Sequence, residues 1–145
     1  MDAVPAGTIG GTYCGNPLAC ASALKVMEIM KAEDYAGKAM AIGEKTMAAF
    51  NRMKEKYEEI GDVRGLGAMI GVEFVKTKAG KEPYPEFVAR MIQTALRKGL
   101  MLENAGTYGN VIRFLAPLCI TDSQLEAGLS IFEEAVGETE KELEK

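Results

Sequence analysis

The sequence predicts an α+β fold (an α/β mixture) with a small, mostly antiparallel sheet covered by helices on one face. Three observations carry this. Apolar residues recur at helical spacing after Pro17, again from Tyr35 and again from Tyr84. Between Val63 and Val75 the period changes from helical to two. From Leu100 to Leu118 two strand-like runs flank a glycine-bounded turn, and a helix-opening signal, Thr121-x-x-Gln124, follows.

Taken in order, Asn16 suits an N-cap and Pro17 the first helical position, where its missing N–H costs nothing. Cys20, Leu24, Met27 and Met30 then fall at helical spacing, and Ala19, Ala21, Ser22 and Ala23 keep the first turns thin enough for close packing. A second helix is read from Tyr35 to Ile60. Ala36, Met40, Gly43, Met47, Phe50 and Tyr57 lie on its apolar face, and Gly61-Asp62 is its stop. Met27, Met30, Met40 and Met47 read as core packing. Val63–Val75 reads as one strand, with Leu66, Ala68, Ile70, Val72 and Phe74 on its bulky face. Gly65, Gly67, Met69, Gly71 and Glu73 lie opposite. Glycines weaken a strand unless something needs close approach, so that face is expected to press on another backbone.

Lys76–Pro83 is a loop tip. The helix after it buries Phe87, Met91 and Ala95, with Gly99 at its C-terminal cap. Leu100–Asn104 and Asn110–Leu118 read as strands joined by the Ala105–Gly109 turn. The last helix opens on the Thr121/Gln124 capping box and buries Leu125, Leu129, Phe132 and Val136. Its end, from Gly137, reads as a solvated acidic tail.

At 145 residues the chain is long enough for a compact domain with its own core. A net charge of -4, with no basic block, argues against non-specific nucleic-acid binding. No run approaches the ~18 apolar residues of a membrane span, and the opening residues lack the regions of a signal peptide, so the cytoplasm is the expected compartment. Cys14, Cys20 and Cys119 show no CxxC spacing, which implies neither a disulfide framework nor a metal site. The chain has no histidine. Ser-His-Asp and Cys-His catalysis are thereby removed, leaving Lys, Arg, carboxylates, Cys or a borrowed cofactor.

The stretch GTIGGTYCGNPLACASAL, Gly7 to Leu24, sets four glycines around Thr12-Tyr13 just before a helix start. Two readings stand. A glycine-rich loop feeding a helix N-terminus gathers backbone N–H groups beside a positive dipole end, a phosphate-holding arrangement to which Thr12 adds a hydroxyl. The other reading is a tight turn and nothing more.

GGTYCGNPLACASAL, VRGLGAMIGVEF and GTYGNVIRFLAPLCIT resemble three successive blocks of the class III pyridoxal-phosphate aminotransferases, in particular those acting on 4-aminobutyrate. The resemblance runs from Met1 to about Val136. It implies the C-terminal small domain of a fold-type I pyridoxal-phosphate enzyme. Residues 1–16 would be a remnant of the large cofactor domain, 17–34 an interdomain helix and 35–145 the small domain.

It further implies transfer of an amino group from an ω-amino acid to 2-oxoglutarate, with pyridoxal 5'-phosphate as cofactor and a homodimer as the working form. Thr12, with Gly11, stands where the family reaches the cofactor phosphate of the neighbouring subunit. Arg113 stands where the family holds the α-carboxylate of glutamate or 2-oxoglutarate. The family's Schiff-base lysine lies shortly before the glycine block, and no lysine precedes Lys25 here, so no catalytic residue is assigned. This chain by itself is expected to be inactive.

From the residues alone, Arg113 has alternatives. Strand alternation sets it beside Val111 and Leu115, where a guanidinium suits a carboxylate, but an exposed edge or an internal Glu would also satisfy it. The Ala105–Gly109 turn is either part of the substrate mouth or a plain hairpin. Arg64 reads as a structural ion pair, and Glu103 and Asn104 carry no role. Against the aminotransferase reading stands a free-standing amino-acid-binding regulatory module or a dimerisation domain.

Overall fold

The computed structural model describes residues 4, 5, 7, 8 and 10–143, in two units, Met1–Tyr35 and Ala36–Lys145. Met1–Gly15, expected from its glycine content to be either disordered or packed against another copy, falls in part on residues outside those described.

The first unit is a turn-rich segment and one helix, α1 (Pro17–Ala32). Asn16 caps it as its side chain dictates: the Leu18 and Ala19 N–H groups donate to Asn16 Oδ1 at 3.0 and 3.3 Å. No residue of α1 is buried. Met27 and Met30 are therefore not core residues of this chain, contrary to expectation: they are 57% and 46% exposed, and so are Leu18, Leu24 and Val26. The helical spacing was real, but this unit has no core to receive it.

The second unit holds α2 (Tyr35–Lys56), β1 (Ile60–Leu66), β2 (Met69–Phe74), α3 (Pro85–Arg97), β3 (Asn104–Ala105), β4 (Val111–Leu115) and α4 (Asp122–Leu143). The sheet order is β1-β2-β4-β3, antiparallel throughout. Ile70, Val72 and Phe74 of β2 and Ile112 and Phe114 of β4 point into the core, where Phe50, Met53, Phe87, Met91, Leu125, Phe132 and Val136 of the helices meet them. This is the predicted α+β layout with helices on one face.

Several boundaries differ from those expected, that of β4 among them, which is shorter than Asn110–Leu118. The second helix stops at Lys56, because Ile60 is already paired with Phe74. Gly61 lies at an irregularity in β1, where an added methyl would stand 2.7 Å from Val75 Cγ2. The buried face of α2 keeps the expected Gly43 and Phe50 but turns toward Ile42, Thr46 and Met53, leaving Met40 and Ala36 exposed while Met47 stays partly buried.

Val63–Val75 is a hairpin, not one strand. Gly67 at φ +55 makes the reversal, which a side chain would oppose, and it resets the alternation so that Leu66 is exposed rather than core. The close approach expected of the glycines is found at that turn. A methyl built on Gly43 of α2 would stand 2.4 Å from the Gly67 carbonyl oxygen, so helix and turn touch through backbone. Gly71 has no such neighbour. Leu100–Glu103 is not a strand: pairing begins at Asn104, since the chain leaving α3 first completes a helix cap.

That cap follows local chemistry. Gly99 takes φ +91, its N–H donates to Leu96 O, and the Leu100 N–H donates to Ala95 O, both pairs closing the last turn of α3. α4 opens on the predicted capping box: Thr121 N–H donates to Gln124 Oε1 at 3.0 Å, and Gln124 N–H to Thr121 Oγ1 at 3.3 Å. It then continues as helix to Leu143 with Thr139 buried, so Gly137–Leu143 is not merely a solvated tail. Thr121→Ala is expected to cost about 1 kcal/mol of unfolding free energy in urea titration. An unchanged midpoint would show the box to be idle.

Candidate functional site

Arg113 sits in the middle of β4, between the core residues Ile112 and Phe114, so pleating turns its side chain to the uncovered face of the sheet. The side chain is 52% exposed, and its Nη2 donates to Glu103 Oε2 at 3.0 Å. The Arg113 N–H also donates to the Glu103 carbonyl at 3.2 Å, so backbone as well as charge sets the two residues opposite each other. One nitrogen is engaged. The rest of the planar fork is left for bidentate pairing with a further carboxylate.

Across the sheet, Gly71 is the register partner of Arg113 on one side and of Arg64 on the other. A methyl on Gly71 would meet only Val111 Cγ1 at 3.4 Å and the Arg64 carbonyl at 3.9 Å, so the row has a low floor between two arginines. Arg64 is committed as the sequence suggested: its Nη1 contacts Asp62 Oδ2 at 2.8 Å and Glu73 Oε2 at 2.6 Å, which raises its pKa. Burial pushes the Asp62 carboxyl up, but the Arg64 hydrogen bond and the charge of Lys54 outweigh it and hold the group below its ordinary value. Leu66, Met69 and Leu115 continue the same face as exposed apolar side chains.

The Ala105–Gly109 turn is a hairpin turn, with Gly106 at φ +80, Gly109 at φ +66 and the Gly109 N–H donating to Gly106 O. Buried Asn110 locks it to the sheet by donating from Nδ2 to the Phe74 carbonyl at 2.9 Å. The turn's effect on the site is to deliver Glu103. Sequence reading gave Glu103 no role, yet the signal was available. Counting outward from the turn pairs 105 with 111, 104 with 112 and 103 with 113, which sets opposite charges across the strands.

Thr12 and Gly11 lie in the first unit, and both are exposed. The loop turns through a Cys14 N–H to Gly11 O bond of 2.9 Å. The expected cluster of free donors at the helix start is not there. Asn16 Oδ1 takes the Leu18 and Ala19 N–H groups, its carbonyl takes the Cys20 N–H, and Pro17 has none. The Thr12 hydroxyl has no partner among the described residues. Lys25 pairs with Glu28 at 3.1 Å within α1.

Residues 1–136 match the class III aminotransferase family, and the chain belongs to it. It is 44% identical over 138 residues to the 5-aminovalerate aminotransferase DavT of Pseudomonas aeruginosa, covering 95% of this chain and 32% of that protein. Identity to the 4-aminobutyrate aminotransferase GabT of Escherichia coli is 42% over 141 residues, 97% of this chain and 33% of the relative. An amine transaminase from an uncultivated Pseudomonas species, solved with pyridoxal phosphate bound, superposes with a TM-score of 0.81 at 31% identity, covering 92% of this chain and 30% of that one. The chain thus spans about a third of the length of these relatives. Among the described residues, no helix is long and apolar enough to cross a membrane.

Proposed function

We propose that this chain is the C-terminal part of a cytoplasmic, homodimeric, pyridoxal-phosphate-dependent aminotransferase. It moves an amino group from an ω-amino acid such as 4-aminobutyrate to 2-oxoglutarate. The observation that carries the reading is Arg113, held by the β4 backbone and presented with only one nitrogen engaged. In this reading residues 1–16 belong to the cofactor domain, 17–34 form the connecting helix and 35–145 the small domain.

Each residue then has a task. Arg113 holds the α-carboxylate of glutamate or 2-oxoglutarate, fixing the reacting carbon by a two-pronged contact. Thr12 donates its hydroxyl to the cofactor phosphate, with the Gly11 backbone beside it. Pyridoxal phosphate, when bound, supplies the electron sink for proton removal at the amino-bearing carbon. No lysine of this chain is assigned to that proton.

A chimaera tests this, with residues 1–136 replacing the matching third of the E. coli relative. Supplied with 4-aminobutyrate or 5-aminovalerate and 2-oxoglutarate, it is expected to form glutamate. A chimaera that folds and takes up pyridoxal phosphate but forms no glutamate from either donor would defeat the proposal.

A further inference from the structure

At the edge of the sheet a groove of about 330 Å3 opens beside Arg113. It begins where the strand pairing stops. Beyond the bond between the Glu103 carbonyl and the Arg113 N–H, the chain Leu100–Leu102 makes no ladder with β4. The start of α4 closes the far side, where a methyl added at Gly128 would stand 3.8 Å from Leu100 Cδ1. Buried Leu102, Phe114 and Leu125 form the floor, and Leu100, Leu115 and Ile120 the walls.

The polar lining is sparse and has a pattern. Gln124 Oε1 is already taken by the Thr121 N–H and hydroxyl. The charged residues lining the groove are Arg113 and Glu103, one of each sign, 3.0 Å apart. A cavity of this size falls at the small end of ligand pockets, roughly 300–1,000 Å3. A ligand with two carboxylates would set its second one in apolar surroundings without a cation. A zwitterion with a hydrocarbon tail fits every part: carboxylate to Arg113, ammonium to Glu103, tail along the leucines.

We propose that this groove is a subsite for aliphatic α-amino acids, with the side chain lying between Leu100–Leu102 and α4. It rests on the reading of Arg113 as the carboxylate-holding residue and extends it from dicarboxylic substrates to unbranched apolar ones. Each methylene laid in the groove strengthens binding about fourfold, from ~0.8 kcal/mol per buried methylene at ~1.4 kcal/mol per factor of ten. Norleucine, three methylenes longer than alanine, therefore binds on the order of fifty-fold more tightly.

The test is a titration of the chain, by chemical-shift change, with alanine, 2-aminobutyrate, norvaline and norleucine, and separately with 2-oxoglutarate. The expected result is a stepwise rise in affinity along the series. Gly128→Leu, which fills the groove from a helix position that accepts a side chain, flattens that rise and leaves 2-oxoglutarate unchanged. Leu115→Asn, at an exposed wall residue, lowers the rise without threatening the fold. Arg113→Gln weakens norleucine and 2-oxoglutarate together. A flat series, no saturable binding of norleucine, or a rise untouched by both groove variants overturns the inference. If Arg113→Gln leaves 2-oxoglutarate unaffected while the rise persists, the carboxylate role of Arg113 is what fails, and the groove binds tails without it.

Discussion

Arg113→Lys in the chimaera is expected to lower kcat/KM for 2-oxoglutarate by ten- to a hundred-fold while leaving the melting curve in place. Hydrogen bonds to a charged group are worth roughly 1.5–3 kcal/mol, and one ammonium cannot reproduce the planar fork. At ~1.4 kcal/mol per factor of ten, that is the stated range. The fold loses little because the ion pair removed is an exposed one. Its partners are 52% and 71% exposed, and such pairs contribute about 0–1 kcal/mol. A collapsed melting temperature with unchanged kcat/KM would make Arg113 a structural residue and remove the basis of the site.

Phe50→Ala is expected to do the opposite, costing about 3–5 kcal/mol of stability. Phe50 is fully buried, and its ring meets Phe114 at 5.3 Å edge-on and Phe132 at 4.7 Å tilted. The three rings join α2, β4 and α4. Aromatic pairs add about 0.5–1.5 kcal/mol beyond burial, so the loss is a large share of the roughly 5–15 kcal/mol that holds a domain together. Urea unfolding followed by circular dichroism reads it. A midpoint shifted by no more than that of Thr121→Ala would show that neighbouring side chains close the cavity.

What the sequence made legible was local. The Asn16 cap, the Thr121/Gln124 box and the Gly99 cap each depend on a few adjacent residues, and each forms as read. The orientation of Arg113 followed from alternation between Ile112 and Phe114. The misreadings are cases in which a distant partner decides. Gly67 reverses the chain, but GLGAMIG also alternates well enough to pass for one strand. The methionines of α1 have helical spacing, but only tertiary packing tells whether a stripe is covered. Leu100–Leu102 has strand-like residues, yet the chain leaving the capped end of α3 reaches β4 only at Glu103. Glu103 became visible only once the hairpin register fixed what lies across from Arg113.

The irregularity at Gly61 has a consequence for contact between molecules. β1 is a sheet edge, and a straight edge strand offers its free N–H and C=O groups to the next chain as a template for aggregation. Here the register shifts between Ile60 and Asp62, and the charged Asp62 and Arg64 follow. The opposite edge, β3, is two residues long. Both borders of the sheet are thereby poor templates for a neighbour's strand. A sheet blunted at both edges in this way can keep one face bare without seeding fibres.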